Sequence, residues 1–405
     1  MKYVVVLADG MADYPVPELG GRTPLQAAHT PHLDFLARLG QVGMVRTVPE
    51  GMPPGSDVAN LSVLGYDPRQ YYTGRSPLEA VAMGVALGDD DVAFRCNLVT
   101  LSDAADYCAK VMVDYSADEI STPEAAALMA EVQQRLGTAE LRFHAGISYR
   151  HLMVWAGGPL EVELTPPHDI SDRPIAAYLP RGARSDTLLG LMISSHEFLP
   201  AHPVNQARVG RGLRPANSLW FWGQGKRPSL PLFADKYGVR GSVICAVDLT
   251  KGLGICAGLT PVEVPGATGN ITTDFRGKAR AALSELHRGQ DFVYLHVEAP
   301  DEAGHRGELE TKIRAIEEID AKVVGELLAG LADFDDFRMM VLPDHPTPLS
   351  VRTHTAEEVP FVIYQASRTR ASGLERYDEE SGRRSGLRVD PGYLLMDRFM
   401  GLQQE

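Results

Sequence analysis

Met339-Met340-Val341-Leu342-Pro343-Asp344-His345-Pro346 decides the fold. The four apolar residues read as a short buried strand. Pro343 ends it, because proline cannot donate to a sheet ladder. Two metal-ligand residue types then follow at once. The pattern recurs twice: Phe292–Val297 leads into Asp301 and His305, and residues 3–7 lead into Asp9 and Gly10. Strands that deliver Asp or His to their carboxyl ends are what an open α/β sheet uses at a ligand site.

Working outward, further strand-like runs fall at 241–247 and 360–364, with helical patterns between them. Thr30 is placed to cap a helix in which Pro31 takes the first position, Leu33, Leu36 and Leu39 face inward, and Gly40 ends it. From Leu309 on, Ile313, Ile316, Ile319, Val323 and Leu327 recur at helical spacing. This alternation predicts a three-layer α/β core. A chain of 405 residues is long for one core. The polar break at Gly88-Asp89-Asp90-Asp91 and the Gly/Arg-rich stretch 208–217 predict an inserted smaller α/β domain, 89–215, within a core made of 1–88 plus 216–405. Inside the insert, 122–137 reads as a helix, and 152–155 and 160–164 as strands.

A net charge of −14 argues against a nucleic-acid or anionic-membrane partner, since both require a basic face. The four cysteines, Cys96, Cys108, Cys245 and Cys256, have no paired spacing and read as reduced thiols. With no signal-peptide core and no apolar run of membrane length, the expected compartment is the cytoplasm.

Asp301 and His305 lie one helical turn apart and can aim at one ion. Asp344, His345, His354 and Asp9 bring the ligand candidates to six. An Asp/His mixture suits Mn²⁺ or Zn²⁺, and six ligands exceed one tetrahedral site but suit two ions, the arrangement that stabilises both oxygens of a phosphoryl displacement. The Pro/Gly loop 49–55 lifts Ser56 to a helix start, where it is either a plain N-cap or a nucleophile activated by a metal.

The segments LADGMAD (7–13), GSDVANLSVLGYDP (55–68), GRSPLEA (74–80), RCNLVT (95–100), PANSLWFWGQGKRP (215–228), HVEAPDEAGH (296–305) and PDHPTP (343–348) span nearly the whole chain. In this order they resemble the cofactor-independent phosphoglycerate mutases of the archaeal type, members of the alkaline phosphatase superfamily. The resemblance implies an alkaline-phosphatase-like core and an isomerase of glycolysis and gluconeogenesis that interconverts 3- and 2-phosphoglycerate without bisphosphoglycerate. It implies two divalent ions, Mn²⁺ first, with Mg²⁺, Zn²⁺ or Co²⁺ as alternatives. One would be held by Asp301, His305 and His354, the other by Asp9, Ser56, Asp344 and His345, with Ser56 carrying the phosphoryl group.

For the anionic substrate, arginine forks and other basic groups are the natural contacts. Candidates are Arg75, Arg150, His151, His168, Arg208 and Arg211, and either Lys236 or Lys251. The resemblance also implies an aspartate of the insert for acid–base work, for which Asp169 is the candidate, with Arg150 a further catalytic candidate. Lys278 is expected on a surface helix, away from the chemistry. Self-association is open. The rival reading is another phosphoryl-transfer enzyme on the same scaffold, such as a homoserine-kinase-like protein or a phosphatase.

Overall fold

The computed structural model describes residues 1–402. The chain divides into two compact units, Met1–Tyr72 with Ser229–Glu405, and the contiguous Thr73–Pro228 between them. The expected insert, 89–215, lies inside the second unit, which also takes in Ser76–Ala82 and the strand Ser218–Gly225.

The first unit is built on eight strands: β1 (Lys2–Ala8), β2 (Gln41–Val45), β3 (Gly241–Ile244), β4 (Thr260–Val262), β5 (Phe292–Val297), β6 (Phe337–Leu342), β7 (Val359–Gln365) and β8 (Arg388–Val389). Their order across the sheet is β4-β3-β5-β1-β6-β7-β2-β8. From β4 to β6 all pairings are parallel, whereas β7 runs antiparallel to both neighbours. Parallel strands covered on both faces read as continuous apolar runs, and residues 4–7 of β1 are fully buried. β3 stops at Ile244, short of the run 241–247, and a helix begins at Asp248.

The helices that matter are α1 (Pro31–Leu39), α2 (Ser56–Val63), α3 (Asp248–Cys256), α4 (Phe275–His287), α5 (Ala299–Arg306), α6 (Leu309–Glu318) and α7 (Gly325–Leu331). Val4 and Val6 of β1 join one core with α1, α4 and the α6–α7 stretch. The intervening side chains face the other way. On that side Tyr294, level with Val5 in the ladder, donates from its hydroxyl to Asn60 Oδ1 of α2 at 2.7 Å. The expected three layers are therefore present, with α2 and α3 packed together on the second face.

Two local expectations change. Thr30 precedes α1 but makes no side-chain cap; Asp320, buried in the π-helical segment Ile319–Val324 between α6 and α7, accepts from Leu33 N at 2.7 Å instead. Lys278 is not on the surface. On α4 it falls on the same inward stripe as Phe275, Ala279, Ala282 and Leu286, and it is fully buried.

In the second unit Asp91–Leu101 is the central strand, antiparallel to Arg150–Ala156 on one side and Ser218–Gly225 on the other. Val92, Phe94, Cys96 and Leu98 pack against helices Thr122–Leu136 and Ser185–Phe198. Arg95 and Asn97 consequently point to the opposite face. The strand expected at 160–164 is only Val162–Glu163, paired with Arg181–Gly182. No disulfide links the four cysteines.

Candidate active site

Three adjacent parallel strands place the ligand residues at one level. In the ladder Ala8 stands beside Val297 and Leu7 beside Leu342, so Asp9, the start of α5 and the Pro343-Asp344-His345 loop all leave the same edge of the sheet. Gly10 is required there. Its φ is +62°, and a Cβ would sit 2.6 Å from the Asp301 Cα.

Asp301 is the hub. His305 Nε2 is 3.2 Å from its Oδ2, His354 Nε2 is 3.4 Å from its Oδ1, and the two imidazole nitrogens are 2.9 Å apart. His305 Nδ1 donates to the Arg352 carbonyl at 3.0 Å, which leaves Nε2 for a ligand. Asp301, His305 and His354 form one group able to hold a metal ion; Asp9, Asp301 and His345 form a second. The first is the set implied by the resemblance. In the second, Asp301 converges where Asp344 was expected. Asp344 stays close, with Oδ2 3.3 Å from His345 Nε2, but its oxygens also accept from Gly10 N, His345 N and Asn60 Nδ2.

The electrostatics are those of a cation site. Asp9 Oδ1 is buried without a hydrogen-bond partner. Burial, then the carboxylates of Asp344, Asp301 and Glu298, push the Asp9 carboxyl well above its usual range. Burial alone would raise Asp301 too, but hydrogen bonds from His305 and His354 hold it well below the usual carboxylate range. The Asp301 hydrogen bond in turn pushes His305 up to about 9. Crowded carboxylates with imidazoles as their local counter-charge are the donor set of a divalent cation.

Ser56 is the first residue of α2, and Gly55 takes the N-cap position. Its hydroxyl is thereby free of capping, and Oγ lies 3.1 Å from His345 Nε2. The plain N-cap reading is excluded. Ser62, one and a half turns on, is buried and donates to the Thr47 carbonyl at 2.5 Å.

Supporting residues escaped the sequence reading. His296 Nε2 meets Asp9 Oδ2 at 2.8 Å, Lys278 Nζ donates to the His296 carbonyl at 3.0 Å, and Thr347 Oγ1 donates to Asp301 Oδ1 at 2.5 Å. A histidine inside the run Phe292–Val297 was the available signal, since an imidazole in a buried strand requires a partner. Burial brings Lys278 down to about 8 and His296 to about 4.

The basic candidates separate by their partners. Lys251 is paired with the Glu263 carboxylate, whereas Lys236 donates to the Gly65 carbonyl and lies over the Tyr66 and Tyr237 rings, 5.3 and 5.1 Å from their centroids. In the second unit, Arg75 and Arg95 share Glu79, at 3.0 and 2.9 Å. Arg95 lies 4.5 Å from the Trp222 ring centroid, and the His168 ring stands edge-on to Trp222 with its Nε2 3.6 Å from Asp169 Oδ1. Arg150 stacks on Tyr149, which packs against Tyr115, whose ring in turn meets His168. Arg75, Arg150, His168 and Asp169 thus belong to one neighbourhood, together with Arg95, which the sequence reading passed over. His151 does not. Adjacent residues on a strand face opposite ways, and His151 is buried on the helix side, accepting from Gly146 N at 3.0 Å. Arg208 is also internal, with Glu124, the Ala117 carbonyl and the Arg214 carbonyl as partners; Arg211 joins the same Glu124.

The profile of the 2,3-bisphosphoglycerate-independent phosphoglycerate mutase family matches residues 37–205. A Geobacter sulfurreducens protein described as a probable member is 54% identical over 99% of this chain and 100% of its own. The chain belongs to this family. A Methanosarcina acetivorans mutase is 53% identical over 94% of this chain and 95% of its own. Among solved structures, the cofactor-independent phosphoglycerate mutase of Thermoplasma acidophilum aligns over 99% of this chain and all of its own, with a TM-score of 0.67 at 28% identity. A Pyrococcus horikoshii protein reaches 0.82 at the same identity, over 100% and 98% of the two chains. The expected α/β fold and the isomerase class, an intramolecular phosphotransferase, are those of the mutase family. No helix among the described residues is long and apolar enough to cross a membrane.

Proposed function

We propose that this enzyme interconverts 3-phosphoglycerate and 2-phosphoglycerate in the cytoplasm through a phosphoserine at Ser56, using two divalent ions, Mn²⁺ first. The observation that carries the proposal is the uncapped Ser56 hydroxyl beside His345 Nε2, next to a buried, unpartnered Asp9 oxygen. Asp301, His305 and His354 would hold one cation; Asp9, His345 and Asp301, with Asp344 and Ser56 adjacent, would hold the other. Bound cations supply charge neutralisation for the phosphoryl oxygens and lower the serine hydroxyl's pKa. Ser56 Oγ bonds to phosphorus as the C3–oxygen side of the ester breaks away from it, leaving glycerate and a phosphoserine. The reverse step returns the phosphoryl group to the C2 hydroxyl, so no bisphosphorylated primer is consumed. At the start of α2, backbone N–H groups favour the anion.

Arg75 and Arg150 suit the substrate's anionic groups, and Asp169, with His168, suits the proton movements between the two glycerate hydroxyls. Lys236, which forms no ion pair among the described residues, is the better core candidate than Lys251, which is paired with Glu263. Self-association is not needed for this chemistry.

Ser56→Ala should keep the fold, bind metal and lose essentially all mutase turnover, while Ser62→Ala, which loses one buried hydrogen bond worth about 1 kcal/mol, keeps its turnover. Labelled 3-phosphoglycerate should mark the peptide containing Ser56. Interconversion by a folded, metal-loaded Ser56→Ala at a comparable rate would overturn the phosphoserine route.

A further inference from the structure

At the opposite end of the sheet from Asp9 and Asp344 lies a cavity of about 620 Å³ lined by Arg338, Arg368, Arg370 and Arg398, with Gln41 and Gln365. Arg338 is the second residue of β6, and Asp344 lies two residues beyond the strand's other end. Every lining residue is neutral or cationic: besides the four arginines there are Leu39, Gly40, Thr369, Ile363 and Gly401. In a chain of net charge −14, four arginines in one concavity without a lining carboxylate are out of keeping with the rest of the surface.

Two of these arginines are held in place by neutral groups. Arg338 Nε donates to Gln365 Oε1 at 2.8 Å and its Nη1 to the Phe399 carbonyl at 2.9 Å. The guanidinium passes directly over Gly401, whose φ is +79° and where a Cβ would meet Arg338 Nη1 at 2.8 Å. Arg398 Nη1 donates to Gln41 Oε1 at 3.4 Å. Amide and carbonyl oxygens orient a guanidinium but leave its charge uncompensated. The nearest acidic group in this network, Asp336, does not line the cavity. Its oxygens accept from Gln365 Nε2, Ser367 N, Ser367 Oγ and Phe337 N. Arg368 and Arg370 are exposed at the rim, and no ion pair to a carboxylate is formed by any of the four among the described residues.

We propose that this cavity is a second anion site, separate from the catalytic centre, for a small organic molecule bearing two phosphate groups. Oriented guanidinium forks match phosphate oxygens bidentately. Four of them exceed what one phosphate can engage, and the volume falls in the range of small-molecule sites. A single inorganic anion would leave half of the charge unmatched.

The test is calorimetric titration of the metal-loaded enzyme at low ionic strength, with phosphoglycerate saturating the catalytic centre. The probes are inorganic phosphate and a hexose 1,6-bisphosphate. The bisphosphate should bind at least about tenfold more tightly than phosphate. The double variant Arg368→Gln/Arg370→Gln should weaken it at least about tenfold with kcat unchanged; both side chains are at the rim, so the fold is not at stake. Replacing two exposed arginines elsewhere, Arg135→Gln/Arg306→Gln, should leave binding unaltered. Absence of binding, equal affinity for the two probes, equal affinity in the rim variant, or equal loss in the control pair would each overturn the proposal.

Discussion

Two ionic clusters, one in each unit, are built on opposite logic. Around Glu124, two arginines, a serine hydroxyl and backbone carbonyls satisfy one another, so that every charge has a partner. Around Asp301, carboxylates crowd other carboxylates, imidazoles face each other at 2.9 Å, and an Asp9 oxygen has no partner. A balanced cluster is a strut. An unbalanced one, held together by the sheet that delivers its members, is the donor set of a cation.

The largest expected effect comes from the unbalanced side. Asp301→Asn removes the carboxylate common to both ligand groups, and activity should fall by at least about a thousandfold with loss of bound metal, measured by turnover and elemental analysis. Activity within tenfold of wild type would mean the two groups are not the working site. On the balanced side, Arg208→Ala leaves two carbonyls without their donor and removes one of the two arginines paired with Glu124, and should cost about 3 kcal/mol of stability, read by denaturant unfolding, with KM little changed. A raised KM at unchanged stability would instead return Arg208 to the substrate.

A smaller effect follows from acid. Burial would raise Glu124, but hydrogen bonds from Ser121 and Arg211 and the Arg208 charge outweigh it and hold its carboxyl at about 2. Its folded value lies below the ordinary carboxylate value, so its stabilisation is present above about pH 4.5 and fades as pH falls toward 2. Glu124→Gln should flatten that part of the stability curve; an unchanged slope would break the reading of this cluster as a strut. The smallest effect belongs to Lys278. Burial depresses its ammonium to about 8, so wild type should gain stability as pH rises from 8 toward 10.5. Lys278→Met, similar in length and uncharged, should remove that gain and fold normally. A marked loss of metal affinity would show that its charge reaches Asp9.

The strand ends were legible because apolar runs stop visibly at Pro343, Asp9 and Glu298, and a parallel sheet aligns such ends. Ser56 was legible through the stiff loop before it. What sequence could not tell was which side of an element a polar residue takes. Arg150 and His151 are neighbours, so the pleat sends only one of them to the basic face. Lys278 carried the spacing of a buried stripe and was read by its charge instead. Arg95 was hidden inside a strand, and Asp320 caps a helix almost three hundred residues away in sequence, beyond any local pattern. The sharing of Asp301 between two ligand groups depends on side-chain directions that spacing does not encode.

The place of β1 in the sheet has a consequence for how the protein is made. Of the eight strands of this sheet it leaves the ribosome first, and its two neighbours, β5 and β6, are among the last, beginning at Phe292 and Phe337. At roughly 5–20 residues per second, β1 waits on the order of 15–60 s for its first partner. Throughout that interval its run of valines is an unpaired, wholly apolar edge. Thr73–Pro228, being contiguous, can complete its own fold meanwhile. A nascent chain stalled before Phe292 should therefore hold a protease-resistant middle and a chaperone-bound beginning, and gain catalysis only once the final quarter has emerged.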